Sequence, residues 1–134
     1  MVPPLQTLLD LEFAPRSGVV RTARDASSVV APALSQDRRD DVKLLVSEIV
    51  TNSVIHGEPG SEQWIRLRVE SGDGKVRVEV RNPGSAVAFE RTPRSGTMRE
   101  SGWGLHLLEN LADRWGVSTD EGETCVWFEV DQQQ

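Results

Sequence analysis

Between Trp64 and Arg81 the chain alternates apolar and polar residues twice, and that pattern limits the folds open to it. Ile65, Leu67 and Val69 fall on one side with Arg66, Arg68 and Glu70 on the other, and Val76, Val78 and Val80 repeat this against Lys75, Arg77, Glu79 and Arg81. A period of two is the signature of a strand with one buried face. Ser71, Gly72, Asp73 and Gly74 supply the turn, so the pair reads as an antiparallel hairpin with one face wet. Its other face needs a cover.

The stretch Leu44–Gly57, LLVSEIVTNSVIHG, is suited to that role. It reads as a helix that is apolar on almost every side, through Leu44, Leu45, Val46, Ile49, Val50, Val54 and Ile55. Asp37, with Asp40 three residues on, is placed to start it, Gly57 to take its left-handed end, and Pro59 to block continuation. Against this background Glu48, Asn52 and His56 stand out, four residues apart. Steps of four drift slowly around a helix, so the three form one polar strip. Burying a carboxylate or an amide is costly unless something satisfies it, so the strip is expected to line a cavity for water, metal or ligand.

The remaining segments complete a two-layer plan. Leu9, Leu11 and Phe13 alternate with Asp10 and Glu12 as a short edge strand ended by Pro15. From Gly18 to about Leu34 the apolar residues recur at helical spacing behind a Ser17 cap, with Pro32 kinking or ending the helix. Leu105, Leu108, Leu111, Ala112 and Trp115 predict a third helix that starts behind Gly102 and Gly104 and ends at Gly116. Val117 to Asp120 and Thr124 to Val130, around Glu121 and Gly122, make a closing hairpin. The expected fold is α+β, a two-layer sandwich of a mostly antiparallel sheet with three main helices on one face.

Composition narrows the function classes. The 134 residues suit one domain, and 37% hydrophobic with 27% charged residues excludes a mainly disordered chain. A formal net charge of −6 leaves no basic stripe, so no direct nucleic-acid contact is expected. No apolar run approaches the roughly 20 residues of a membrane span, and no signal peptide is evident. Cys125 is the single cysteine, which excludes an internal disulfide and suits the cytoplasm.

Three features converge on phosphate chemistry: the strip, the turn Asn82-Pro83-Gly84 at a strand end, and Gly102-Trp103-Gly104-Leu105 at a helix start. Helix N-termini offer unpaired amide hydrogens, and glycines let a phosphate approach. Asn52 is a neutral oxygen ligand suited to Mg²⁺, and Glu48 a base one turn earlier. Each piece also has an ordinary reading. Glu48 alone is a solvated helix residue, Asn52 a backbone partner, and Asn-Pro-Gly a common turn. His56 reads best as a complement to the helix dipole, and Cys125 and Trp127 as packing. Trp103 reads as a lid contact.

In order along the chain, SEIVTNSVIHG, RNPGSAV, SGWGLHLLENLADRWGV and GETCVWFEV resemble the histidine-kinase-like ATPase domain (Bergerat ATP-binding fold) of bacterial anti-sigma factors and related serine/threonine protein kinases. The resemblance runs from about Leu11 to Val130 of a single domain spanning 1–134, with an ATP lid over about 83–103. It implies that Glu48 is the general base and Asn52 the Mg²⁺ ligand. Nucleotide contacts fall by resemblance on Asn52, Asn82, Gly84, Val87, Arg99, Gly102, Gly104, Leu105 and Thr124. The implied activity is ATP- and Mg-dependent phosphorylation of a serine or threonine on an anti-sigma-factor antagonist, within a partner-switching pathway that also engages a sigma factor. A homodimer is plausible on the resemblance alone. Two positions depart from the family: Asn82 stands where an adenine-binding carboxylate is usual, and Glu100 where an arginine often meets the terminal phosphate. They leave open a non-catalytic partner-switching module of the same fold.

Overall fold

In the computed structural model, residues 5–55, 64–83 and 100–132 are described, excluding the side chains of 31, 55 and 100–105. Five strands form one antiparallel sheet: β1 (Gln6–Phe13), β2 (Ile65–Gly72), β3 (Lys75–Pro83), β4 (Arg114–Asp120) and β5 (Glu123–Asp131), in spatial order β1-β2-β3-β5-β4. Three α-helices accompany it: α1 (Val19–Ala26), α2 (Gln36–Ile55) and α3 (Glu100–Leu111), with a 3-10 helix at Ser27–Ala33 between α1 and α2. The α+β two-layer plan and the edge position of β1 are as the residue pattern predicts.

The predicted alternation becomes the core face of the sheet. Val76, Val78 and Val80 of β3 stand opposite Val130, Phe128 and Val126 of β5, and Leu67 and Val69 of β2 opposite Val80 and Val78. All are essentially buried, together with Val42, Leu45, Val46, Ile49 and Val50 of α2 and Leu108 of α3. Both two-residue turns place a non-glycine residue in the left-handed region before a glycine: Asp73 (φ 53°) with Gly74 (φ 74°), and Glu121 (φ 52°) with Gly122 (φ 80°). Such turns match the strand twist and hold the register.

Several element ends differ from the sequence expectation, each for a local reason. Helix α1 begins behind Gly18, not on a Ser17 side-chain cap; Gly18 takes φ 90° and its carbonyl accepts from the Thr22 N–H at 2.9 Å. The regular helix stops at Ala26, where the Ser27 hydroxyl donates to the Arg24 carbonyl at 2.6 Å, and Pro32 lies within the 3-10 helix. Ser35, not Asp37, sits at the start of α2, accepting from the Arg38 N–H at its hydroxyl and from the Arg39 N–H at its carbonyl. Leu44 and Val54, counted in the apolar circumference of α2, are exposed. Helix α3 ends at Leu111 and does not reach Gly116, because the Asp113 N–H donates to the Glu129 carbonyl at 2.9 Å and draws the chain into the sheet. Trp115 and Val117 then pair with Phe128 and Val126 and pack on the core from β4. Trp115 fits the helical series of Leu108, Leu111 and Ala112, but its alternation with Val117 is that of a strand. Gly57 and Pro59, expected to end α2, lie outside the described residues.

The opposite face of the sheet carries charge in cross-strand order. Arg68 faces Glu79, Glu70 faces Arg77, and Arg77 faces Glu129. Arg66 grips Asp10 with two bonds of 2.8 and 2.9 Å. Glu129 is the deepest of these groups, 7% exposed, and accepts from Arg114 at 2.6 Å and Arg77 at 3.0 Å. Burial pushes its carboxyl up, yet the two guanidiniums outweigh that and hold it below its ordinary value of 4.5. Beside it the Arg77 guanidinium lies 4.3 Å over the Trp127 ring, and Gly116 leaves room for that ring on β4. A Cβ at Gly116 would stand 2.7 Å from Trp127 Nε1.

Two outcomes are expected. Gly116→Ala forces the indole to move and lowers unfolding free energy in urea by about 1–3 kcal/mol; an unchanged midpoint would show that Trp127 shifts freely. For Glu129 the depressed carboxyl contributes stability that is fully present above its unfolded value of 4.5 and is lost as pH falls through the lower folded value. Glu129→Gln is therefore less stable than the parent at pH 7 by roughly 1–3 kcal/mol. The difference should shrink in urea titrations taken well below pH 4.5; a constant gap would locate the effect in packing.

Candidate functional site

The polar residues of α2 divide by how they are satisfied. Ser47 donates to the Lys43 carbonyl at 2.8 Å and Thr51 to the Ser47 carbonyl at 2.7 Å, the usual return of a hydroxyl to the preceding turn. Ser53 reaches out of its helix to Asn82 Oδ1, at 3.3 Å, on the end of β3. Asn52 does neither. Its side chain is 1% exposed, and Nδ2 has no hydrogen-bond partner among the described residues. A buried donor left in this state costs about 1–3 kcal/mol.

Asn82 and Thr124 lie opposite each other on β3 and β5, one position beyond the Arg81–Cys125 row and two beyond Val80–Val126. Both are buried, Asn82 at 6% exposure and Thr124 at 1%. With Asn52 and Ser53 they make four of the six buried polar residues described, the others being Ser27 and Glu129. The Ser53–Asn82 bond links this sheet end to the C-terminal half of α2. Half-buried Glu48 lies one helical turn before Asn52, on the same side of α2.

A contact at the far end of α2 orients α3. Arg38 donates to the Leu111 carbonyl at 3.4 Å and pairs with Asp41 and Asp113. The start of α2 thus meets the end of α3, and α3, about 18 Å long at 1.5 Å per residue, leads back toward the half of α2 that carries Asn52. Gly102, Gly104 and Leu105 all fall in its N-terminal half. The sequence expectation started the helix behind Gly102 and Gly104; both glycines lie within it, Gly102 in the first turn, where amide hydrogens lack helical partners, and Gly104 and Leu105 beyond it.

Of the residues singled out in the sequence, the structure therefore brings Asn52, Asn82 and Thr124 to one end of the sheet, with Glu48 adjoining. His56, Gly84, Val87 and Arg99 lie outside the described residues, as do the side chains of Glu100 and Trp103 and most of the expected lid. Ser53 was missed by sequence reasoning. Its signal was a serine on a largely apolar helix next to Asn52, but its partner is 29 positions away. Cys125 is buried, and burial pushes its thiol up, which keeps it protonated and suits packing.

The residues fit a magnesium nucleotide. Among those described, no three His, Cys, Asp or Glu side chains converge as a metal cage. A cation here would take one amide oxygen and complete its shell with phosphate and water, the habit of Mg²⁺. Turning the Asn52 amide over puts its oxygen where the orphaned nitrogen stands, and in either orientation a ligand would satisfy the buried group.

Comparisons with known proteins bear on the family and the fold. A family model described as histidine kinase-like ATPase domain matches residues 13–130. An anti-sigma F factor of Clostridium botulinum is 33% identical over 124 residues, covering 84% of this chain and 85% of that protein. A serine-protein kinase, RsbW, of Staphylococcus epidermidis is 31% identical over 102 residues, 67% of this chain and 64% of that one. Among solved structures, the RsbU and RsbW domains of a Mycobacterium tuberculosis protein superpose with a TM-score of 0.68 at 22% identity, covering 92% of this chain and 32% of that one. The catalytic domain of the histidine kinase ThkA gives 0.58 at 16%, covering 93% and 97%. At these identities the two structures speak for the fold.

Replacing Asn52 tests whether its amide is held for a ligand. Asn52→Leu removes the unpaired donor at similar volume, so the nucleotide-free protein should gain roughly 1–2 kcal/mol in urea unfolding. A loss of stability would mean that the amide serves the fold.

Proposed function

Since the chain belongs to the histidine kinase-like ATPase domain family, we propose that it is an ATP-binding anti-sigma-type regulator that phosphorylates a serine or threonine of an antagonist protein. The observation that carries this reading is Asn52, a buried amide with an orphaned nitrogen one turn from Glu48 and beside the Asn82–Thr124 end of the sheet. A fold has no use for such a group, whereas a bound magnesium nucleotide does. The named relatives, an anti-sigma F factor and a serine-protein kinase, support the same pathway.

ATP, bound with Mg²⁺, supplies the phosphoryl group to be transferred. Asn52 would hold the Mg²⁺ through its amide oxygen, and the ion would offset the phosphate charge. Glu48 accepts the proton of the incoming hydroxyl as its oxygen takes the terminal phosphoryl group of ATP and ADP leaves. Asn82 and Thr124 contact the nucleotide from the sheet, and the first turn of α3 presents amide hydrogens to its phosphates. By the family resemblance, Gly84, Val87 and Arg99 are the further nucleotide contacts. The partners are a sigma factor and its antagonist, exchanged according to the antagonist's phosphorylation. The site of action is the cytoplasm, and the assembly is a homodimer. No described helix is long and apolar enough to cross a membrane.

A second reading is favoured by two residues. By the family resemblance, Asn82 stands where a carboxylate is usual and Glu100 where an arginine often meets the terminal phosphate, whose developing charge a carboxylate would oppose. Both suit a partner-switching module without transfer activity.

Binding of a fluorescent ATP analogue with Mg²⁺ and transfer of radiolabel to the cognate antagonist separate the two. Glu48→Gln should leave the Kd within about threefold while slowing transfer at least roughly 100-fold. Equal transfer by the variant would remove Glu48 from the chemistry. Saturable binding without any transfer by the parent protein would establish the non-catalytic module.

A further inference from the structure

The C-terminal end of α3 is tied to both layers of the fold. From α2, Arg38 Nη1 donates to the Leu111 carbonyl at 3.4 Å and Nη2 pairs with Asp113. From the sheet, the Glu129 carbonyl accepts from the Asp113 N–H at 2.9 Å, and Asp113 Oδ2 accepts from the Asp131 N–H at 2.7 Å. Asp113 therefore joins a guanidinium of α2 to the backbone of β5. Arg38 is itself steadied by Asp41, at 3.3 Å on its own helix, and its side chain is only 22% exposed. A guanidinium is a flat, stiff fork, so the groups bonded to it are fixed in direction as well as in distance.

The apolar contacts of α3 act differently. Leu108 is fully buried, and Leu107 and Leu111 pack against the same core. Burial of this kind opposes separation but has no direction of its own. It holds α3 on the core, and the angle is left to the hydrogen bonds. That angle matters because of the length of the helix. With 12 residues α3 is about 18 Å long, so a tilt of about 5° at Leu111 moves its first turn by roughly 1.5 Å. The usual N–H···O separation is about 2.9 Å, and few such bonds survive a displacement of that size.

We infer that Arg38 is a positioning residue for the nucleotide, which it never touches: by fixing the angle of α3 through Leu111 and Asp113, it sets where the first turn of that helix meets the phosphates. The inference rests on the nucleotide-binding reading above, in which that turn presents its amide hydrogens to phosphate. Displacing a group by about 1 Å from a remote position can cost on the order of 100-fold where geometry is exacting. Arg38 and Asp113 stand 75 positions apart, so the link exists only in the folded chain.

Two measurements on the full chain test this. In the nucleotide-free protein, N–H residual dipolar couplings of Leu107–Leu111 should change in Arg38→Met while those of Val42–Val50 in α2 keep the parent's values. With Mg²⁺ and a fluorescent ATP analogue, Arg38→Met should raise the Kd at least roughly tenfold, the loss of one or more charge-assisted bonds to phosphate. Arg38→Lys, which keeps the charge but not the fork, should fall between. Asp113→Ala should also weaken binding, and the double variant should exceed the weaker single by no more than about twofold, because both act through one contact. Arg39→Met is the control: it loses a bond of the same kind, to the Leu34 carbonyl at 3.0 Å and not to α3, and should leave the Kd within about twofold. Unchanged couplings in α3, a Kd for Arg38→Met within about twofold of the parent's, or an equal loss in Arg39→Met overturns the inference while leaving nucleotide binding intact. If the parent gives no saturable binding, both the inference and the function it rests on are wrong. Should Arg38→Met fail to fold by circular dichroism, Arg38→Lys decides by the same two measurements.

Discussion

The packing of α2 on the core face of the sheet is the interaction on which everything else depends. Val42, Leu45, Val46, Ile49 and Val50 are all fully buried and share one cluster with Val78, Val80, Val126 and Phe128. Each such side chain contributes on the order of 1.5–3 kcal/mol when removed from water. Without this contact neither layer could cover its apolar surface, because the sheet offers its other face to solvent. The same contact brings Ser53 to Asn82 and sets the C-terminal half of α2 over the sheet end where Thr124 lies.

That arrangement lets a stable body carry an unfavourable group. An orphaned amide such as Asn52 Nδ2 survives because the surrounding apolar contacts greatly exceed its cost. The charged groups are managed differently. Glu129 is almost buried but lies among Arg114, Arg77 and Lys75, so removing it from water is offset by close cations. Arg38 plays a similar part between helices, joining the start of α2 to the last carbonyl of α3 and to Asp113. One polar cluster therefore secures the fold at the Arg38 end, while the other leaves bonding capacity open at the Asn52 end.

How much of this was legible beforehand follows the range of the interactions. The two hairpins were readable because alternation and turn chemistry are local, as at Val76, Val78 and Val80 and at Asp73–Gly74. The end of α3 was not, since Trp115 continues the helical series of Leu108, Leu111 and Ala112 and also alternates with Val117 as a strand would, and the deciding bond comes from Glu129, in another strand. Asn52 could be singled out as a polar residue on an apolar helix. Ser53 could not, because a serine reveals its role only through its partner.

By itself the sequence determined the two-layer class, the sheet's buried and wet faces, and the suspicion that the polar strip on α2 has chemical work to do. These follow from periodicity and from the cost of burying polar atoms, both of which are properties of a segment. Only the tertiary structure decided which polar groups are satisfied: Ser47 and Thr51 within the helix, Ser53 across to the sheet, and Asn52 by nothing described. Satisfaction is a matter of two or three ångströms between residues far apart in the chain, and no pattern along a single segment carries that distance.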